Sequence, residues 1–211
     1  MNYIKLITIL LLLSGCGVDE IQAQKDLRNE VIIENQVFKV WYSEILEQPV
    51  KLIYTSTNRE KNVDRGSMDF HTEKETHTSD KHDYYRNPWD KGHLAPAATY
   101  SDSKNNLFMT FSYLNCTLQQ QDLNRGAWRL LEAEERKWDD SENLTITIEN
   151  IFDEGHEVLP TGGHIPTDMI KHIYFENQKI YRCWEFENIK PTKSWKEYEV
   201  THVHLDDNTN Q

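Results

Sequence analysis

The sequence predicts an α+β fold, because several stretches have strand character and a single segment has helical periodicity. Of the 211 residues, 37% are hydrophobic, and 6 Trp, 10 Tyr and 7 Phe can bury large apolar areas. This length suits one compact domain with tails. The chain has 35 acidic and 23 basic residues, a formal charge of -12. A general basic coat for nucleic acid is therefore excluded, and binding of a polyanion would require local positive groups or a metal ion.

The predicted strands are runs rich in β-branched and aromatic residues, or runs in which polar and apolar residues alternate. They lie at residues 37–42, 49–55, 144–150, 170–175 and 180–186, with the last two pairing as a hairpin across Asn177 and Gln178. The continuous apolar run at 107–114 is predicted to be a buried central strand.

The one predicted helix covers residues 122–139, where apolar residues recur at a helical period and Asp122 is a candidate N-cap. Residues 74–83 have no period and no apolar anchor, so they are predicted to form a solvated loop. Three histidines, at positions 71, 77 and 82, fall in or beside this loop. Their spacing matches no metal-ligand motif, and we expect them to be surface residues.

The N-terminus is predicted to be a targeting segment. Lys5 precedes an apolar run at 6–13 that is too short to span a bilayer but suits a signal peptide over residues 1–15. The following Leu-Ser-Gly-Cys resembles the lipobox of bacterial lipoproteins, which implies lipidation at Cys16 and an exported, membrane-anchored protein of the cell envelope. An ordinary secretory signal with an incidental cysteine is the alternative.

The mature chain is predicted to consist of a polar tether at 16–30, a folded domain at 31–200 and a polar tail at 201–211. Two cysteines, Cys116 and Cys183, remain in the folded domain. In an exported protein they could form a disulfide or stay free, and the sequence leaves both outcomes open. Neither has a partner at metal-ligand spacing.

Residues that could take part in catalysis are concentrated in the middle third of the chain. His93 follows Gly92 in a predicted turn, where an imidazole could face a cleft and take a proton from water. The alternative is a histidine held in the turn by backbone hydrogen bonds.

Asn124 and Glu132 are eight residues apart, which corresponds to about 12 Å along a helix. An amide oxygen on the cation with a more distant carboxylate fits Mg²⁺, which binds few protein ligands and keeps several waters. The alternative is a helix-start asparagine and a solvated glutamate.

Three ordered segments together resemble the DNA/RNA non-specific endonucleases of the ββα-metal (His-Me finger) group. They are Asp-Lys-Gly-His-Leu-Ala-Pro at 90–96, Asn-Cys-Thr-Leu-Gln at 115–119, and Asn-Arg-Gly-Ala-Trp continuing to a glutamate at 124–132. The resemblance implies a central antiparallel sheet with a catalytic helix. It also implies Mg²⁺-dependent hydrolysis of phosphodiester bonds in both DNA and RNA, with Mn²⁺ as an alternative cofactor.

Carried over by position, the resemblance makes His93 the general base and Asn124 the protein ligand of the metal. It makes Glu132 a partner of metal-bound water, lets Asn115 help shape the site, and assigns phosphate contact to Arg65.

Lys91 and Arg129 are the cations predicted to bind substrate. Lys91 stands where the family has arginine, which keeps the charge but loses the bidentate fork. Leu118 stands where the family usually has proline, a change expected to loosen the wall beside Asn115.

Two other functions compete with an active nuclease. The first is a catalytically weak, nuclease-like binding or adaptor lipoprotein, and the second is a phosphodiesterase acting on a small or lipid-linked substrate. Elsewhere, His202 and His204 could bind a transition metal if the tail were a strand, but a polar tail is the expectation. Thr161-Gly162-Gly163 is predicted to be a turn, since no lysine follows as in a phosphate loop.

Overall fold

The structure, a computed structural model, describes residues 30–201 as two antiparallel sheets with short helices. The main sheet has seven strands in the order β1-β2-β3-β6-β7-β8-β9, and β4 and β5 form a separate pair. The main-sheet strands are β1 (Glu30–Glu34), β2 (Phe38–Ser43), β3 (Gln48–Ser56), β6 (Leu144–Ile151), β7 (Asp168–Phe175), β8 (Ile180–Glu187) and β9 (Glu199–Val200). The small pair is β4 (Trp89–His93) and β5 (Cys116–Gln120).

The longest helical segment follows β5 directly and spans residues 121–138; we call it the site helix. It comprises a single α-turn, α2 (Gln121–Leu123), a π-helical segment (Asn124–Trp128) and α3 (Arg129–Trp138). The other helical elements are α1 (Lys104–Thr110) and 3-10 turns at Tyr113–Asn115 and Trp195–Tyr198. Among the described residues, none of the helices is long and apolar enough to cross a membrane.

The core lies between one face of the main sheet and the site helix. Alternation in β6 buries Leu144, Ile146 and Ile148, which join Leu131 and Trp128 of the site helix in one apolar cluster. Each such side chain contributes about 1.5–3 kcal/mol by leaving water. Burial of this face therefore fixes the site helix against the sheet.

The five predicted strands are confirmed, and β7 and β8 pair in the predicted hairpin. The predicted helix is also confirmed, but its N-cap is Gln120 and not Asp122. The Gln120 side chain accepts a hydrogen bond from the Leu123 backbone N–H. The predicted Thr161-Gly162-Gly163 turn is confirmed as well.

The predicted central strand at 107–114 is wrong. This segment contains the end of α1, a turn at Phe111 and the start of a 3-10 turn, and none of it joins the main sheet. A short apolar run does not by itself distinguish a buried strand from a buried helix. Ser103 favours a helix over a strand here, because its hydroxyl caps α1 by accepting a hydrogen bond from the Asn106 N–H.

The loop at 74–83 has neither helix nor strand, as predicted, but it is only partly solvated, since Ser79 and Asp83 are buried. His77 and His82 are exposed, whereas His71 is half-buried and stacks on Phe108 with ring centroids 4.3 Å apart. Both remaining cysteines are buried free thiols, so no disulfide joins them. The predictions for residues 1–29, including Cys16, and for His202 and His204 fall outside the described residues.

Candidate active site

His93 is the last residue of strand β4 and does not lie in a turn, which corrects the prediction from the sequence. It pairs with Cys116 of β5, and Gly92 pairs with Thr117. Gly92 serves a packing role, since a Cβ atom there would lie 2.4 Å from the Gln119 Oε1 atom. The glycine therefore allows the Gln119 side chain to lie against the strand that carries His93.

The His93 ring is enclosed by two aromatic rings. Phe70 lies 4.6 Å from it and Phe111 meets it edge-on at 5.0 Å, both measured between ring centroids. The Nε2 atom is buried and has no hydrogen-bond partner within the described part of the chain. Burial, assisted by the positive charge of Arg65, lowers the pKa of His93 from 6.5 to about 3. The imidazole is therefore neutral at physiological pH, as a proton acceptor must be.

Two cationic side chains lie on the aromatic enclosure. The guanidinium of Arg65 lies 5.1 Å from the Phe111 ring, and Lys91 Nζ lies 5.6 Å from the Phe70 ring. Lys91 Nζ also donates to Asp69 Oδ1 at 2.9 Å, and this contact lowers the pKa of Asp69. The structure thus places two of the three cations predicted to contact substrate beside the enclosure, and one of them, Lys91, is already paired to a carboxylate.

Asn115 is fully buried and both ends of its amide bind backbone. Its Oδ1 accepts from the Ala95 N–H at 2.7 Å, while its Nδ2 donates to the carbonyls of Ala95 and Thr110 at 2.9 Å. The amide is therefore committed to holding the chain just after His93. These contacts place Asn115 as a support for the backbone beside His93, and its predicted part in shaping a catalytic site stays a prediction.

Asn124 is oriented by a carboxylate from strand β4. Its Nδ2 donates to Asp90 Oδ2 at 2.9 Å, and the Arg125 guanidinium binds the same carboxylate through both oxygens at 2.6 and 2.7 Å. Because the amide nitrogen is held by Asp90, the amide oxygen is the atom left to face a cation. Asn124 also begins the π-helical segment, a distortion frequently found at functional sites.

The loosening expected from Leu118 stays a prediction, but this residue is held firmly in its strand. Leu118 is buried in β5, where its N–H donates to Gln48 Oε1 at 3.1 Å and its carbonyl accepts from Asn188 Nδ2 at 2.9 Å. Proline could not make the first of these hydrogen bonds. The side-chain amides of Gln48 and Asn188 thus hold this strand. They replace the restraint that the fixed backbone angle of a proline would give.

Glu132 lies on α3 two turns after Asn124, and burial raises the pKa of its carboxyl to about 7 despite the opposing charge of Lys171. Such a value is typical of carboxylates at functional sites, although buried structural networks can produce it too. Arg129 is exposed, and its guanidinium donates to the Arg125 carbonyl at 3.0 Å. Its predicted contact with substrate stays a prediction.

The contacts define two groups of residues joined by strand β4. One group surrounds His93 and contains Arg65, and the other contains Asp90 and Asn124. Asp90 and His93 are three residues apart, which is about 10 Å along a strand. The strand therefore holds the proposed base and the anchor of the proposed metal ligand at a fixed separation.

The DNA/RNA non-specific endonuclease family matches this chain over residues 25–210, a range that contains both groups. The chain belongs to this family. A curated relative, mitochondrial endonuclease G of Bos taurus, is 34% identical over 91 residues, which cover 42% of this chain and 28% of the relative. The match therefore spans little more than a quarter of that protein.

A solved structure supports the fold of this family member. The structure titled "Crystal structure of the EndoG/EndoGI complex: Mechanism of EndoG inhibition" aligns with a TM-score of 0.71 at 22% identity. The alignment covers 81% of this chain and 80% of the other. Together with the family match, it confirms the predicted α+β fold of the ββα-metal type, with a large antiparallel sheet.

The chemistry of the donor set fits a hard cation with few protein ligands. No cluster of three or more His, Cys, Asp or Glu side chains suited to a metal occurs within residues 30–201. One oriented amide oxygen, on Asn124, agrees with the few protein ligands that Mg²⁺ takes.

Sequence reasoning missed the residues that surround the site. Phe70 and Phe111 enclose His93, and Asp69 pairs with Lys91. The contact of Phe111 with His93 was missed because Phe111 was wrongly assigned to a buried strand. Lys171 and Glu135 are fully buried behind Glu132, and nothing in their sequence context distinguishes them from surface charges.

Proposed function

We propose that this protein is a sugar-non-specific endonuclease that hydrolyses phosphodiester bonds of DNA and RNA with Mg²⁺. His93 is the general base and Asn124 is the protein ligand of the cation. The observation that carries the proposal is the neutral imidazole enclosed by Phe70 and Phe111, with a buried Nε2 atom that has no hydrogen-bond partner among residues 30–201. A structural histidine would be expected to use that nitrogen in a hydrogen bond.

The geometry suggests how His93 becomes a stronger base when substrate arrives. In the free protein, burial and Arg65 disfavour its protonated form. A phosphate bound by Arg65 and Lys91 would offset that positive charge and favour the imidazolium. The pKa of His93 then rises toward working pH as the nucleophilic water is deprotonated, which is the condition for efficient general base catalysis.

Asn124 would hold Mg²⁺ through its amide oxygen, with Mn²⁺ as a substitute, and Glu132 would orient the hydration shell. The bound cation would supply charge stabilisation on the phosphate and the leaving oxygen. Arg65 and Lys91 would hold the phosphate backbone, and Arg129 would extend this contact along the site helix. Since backbone and metal provide the binding, base sequence and sugar type would matter little.

Cleavage assays on plasmid DNA and on RNA test this proposal. The wild-type protein should degrade both with Mg²⁺ and stop when EDTA is added. His93→Ala should lower the rate by about 10²–10⁴-fold, the contribution expected of a general base. His82→Ala, which removes an exposed histidine in the loop before β4, is the matched control and should retain full activity.

Either of two results would overturn the proposal. If wild-type protein cleaves neither polymer across several divalent cations and salt concentrations, a binding or adaptor role takes its place. If a small diester is hydrolysed faster than polynucleotide, the substrate assignment is wrong and the phosphodiesterase function is favoured.

We also propose that the domain is anchored to the bacterial cell envelope by lipidation of Cys16. The support is the order of charge, apolar run, small residues and cysteine at the N-terminus. Membrane fractionation of the full chain tests this, since Cys16→Ser should move the protein from the membrane pellet to the soluble fraction. Pelleting of the variant equal to wild type would contradict the anchor.

A further inference from the structure

A buried ion pair lies between the site helix and the main sheet. Lys171 of β7 and Glu135 of α3 are both fully buried, with Nζ and Oε1 2.8 Å apart. The neighbours of Lys171 across the sheet are Ile148 and Trp184, so its ammonium occupies a row of otherwise apolar core positions. Lysine and glutamate are almost never fully buried unless paired, which sets this site apart from ordinary core.

The pair is completed by a tyrosine and a tryptophan. Tyr54 of β3 donates its hydroxyl to Glu135 Oε2 at 2.6 Å, and burial together with the Glu135 charge raises the pKa of this phenol. The Lys171 Nζ atom lies 4.1 Å from the centroid of the Trp128 ring. Trp128 ends the π-helical segment that begins at Asn124. One network thus links two strands to both the α-helical and the π-helical parts of the site helix.

Stability alone is a weak reason for such a network. Replacing a buried ion pair by apolar residues of similar volume is often neutral or stabilising, because two charges no longer have to leave water. Directional contacts provide something that apolar packing does not. They fix the rotation of a helix about its axis, and both Asn124 and Glu132 depend on that rotation.

We propose that Lys171, Glu135 and Tyr54 are positioning residues that hold the π-helical segment and α3 in the orientation that cleavage requires. The inference deepens the proposed function and rests on it. Glu135 accepts hydrogen bonds from residues of β3 and β7, while Lys171 lies against Trp128 at the end of the π-helical segment. None of the three residues touches substrate in this scheme. They act through Asn124 and Glu132.

The test replaces the ion pair with apolar residues in the full chain, as Lys171→Met combined with Glu135→Leu. The matched control is Arg182→Met with Glu199→Leu, which removes a second cation that lies on a tryptophan of the same helix. Arg182 lies 5.0 Å from the Trp138 ring, at the far end of the site helix, and binds Glu199 at 2.7 Å. Both variants therefore lose one ion pair and a cation–π contact with a tryptophan of the site helix, and the control also loses the contacts of Arg182 with the Phe175 and Trp184 rings.

We expect Lys171→Met/Glu135→Leu to remain folded, with its melting temperature at or above that of the control variant. Its kcat on DNA should fall about tenfold to a hundredfold, the cost of a displacement of about 1 Å at the reacting groups. KM should change little, since Arg65 and Lys91 are untouched. The control should keep the wild-type kcat.

Hydrogen exchange in the metal-free proteins gives a readout that is independent of activity. Backbone amides in the peptide covering residues 121–138 should exchange at least several-fold faster in Lys171→Met/Glu135→Leu than in the control. If the double variant does not fold, Tyr54→Phe removes one hydrogen bond only. It should then show the same pattern at smaller amplitude.

The outcomes separate the two proposals. Wild-type cleavage with unchanged kcat and unchanged exchange in the variant overturns the positioning role, and so does an equal loss in the control. If wild-type protein cleaves nothing but the exchange difference persists, the nuclease function fails while the network still orients the helix. A Tyr54→Phe variant identical to wild type in both measurements, after failure of the double variant to fold, also overturns the inference.

Discussion

The two ends of strand β4 hold their functional side chains by opposite means. At one end, His93 lies in an aromatic enclosure and its Nε2 atom lacks a hydrogen-bond partner within the described residues. At the other end, Asp90 uses both carboxylate oxygens to hold Asn124 and Arg125. Desolvation keeps the proposed base neutral, whereas hydrogen bonds fix the direction of the proposed metal ligand.

This difference predicts different consequences for changes at the two ends. Changes around Asp90 should act on metal affinity, because they release the Asn124 amide. Changes around Phe70 and Lys91 should act on substrate binding and on the protonation of His93. The comparison would be wrong if a change around Asp90 altered only substrate binding, or if a change around Phe70 and Lys91 altered only metal affinity.

Among the residues that surround His93 and Asn124, the largest effect is expected at Asp90. Asp90→Asn keeps the size of the side chain but loses the charge that binds the Arg125 fork and the Asn124 amide together. The Mg²⁺ concentration for half-maximal cleavage should rise about 10–100-fold, as is typical when the partner of a metal ligand is removed. Asp122→Asn is the control, because Asp122 lies two residues from Asn124 but its carboxylate faces Lys190 at 3.8 Å. An equal rise in both variants would refute the specific role of Asp90.

A smaller gain of function is expected at Asp69. Its carboxylate is 77% exposed and pairs with Lys91, so it competes with a substrate phosphate for that cation. Asp69→Asn should lower KM for DNA several-fold, and the dependence of log K on log salt should steepen by about one unit per added phosphate contact. Glu34→Gln, which removes an equal charge from a lysine pair of the main sheet, should change neither quantity as much. An increase in KM for Asp69→Asn would show that the carboxylate supports binding.

The smallest effect concerns acid stability at the His93 end. The pKa of His93 is about 3 in the folded protein and 6.5 unperturbed, so between these pH values the unfolded chain binds the extra proton. Folding is therefore increasingly disfavoured by His93 as pH falls below 6.5, and His93→Gln should remove that dependence. The slope of the unfolding free energy with pH should decrease by up to about 1.4 kcal/mol per pH unit, measured by urea denaturation. If His93→Gln and the control His82→Gln gave the same slope of unfolding free energy with pH, His93 would be freely hydrated.

The sequence predicted most of the sheet because alternation shows which face of a strand is buried. In β6 every second residue is buried, and the register with β3 and β7 follows from that pattern. The run at 107–114 failed because a continuous apolar stretch has no period from which to distinguish helix and strand. The available signal was Ser103, a residue type preferred at helix N-caps, just before this segment.

The site could be predicted only in part, since motif residues are local and their surroundings are not. His93 and Asn124 were found from short segments. Phe70 reaches His93 from a loop more than twenty residues earlier in the chain, and no local pattern predicts such a contact. Lys171 was equally invisible, because a lysine in an alternating strand is expected to face solvent and here it faces the core.

The central claim is that the two ends of β4 act on one phosphate. Crystals grown with Mn²⁺ and a short DNA duplex test it most directly through the anomalous signal of the cation. The account predicts Mn²⁺ on Asn124 Oδ1, with a DNA phosphate between the cation and the His93 ring. A cation bound elsewhere, or a phosphate path that does not reach the His93 ring, would contradict it.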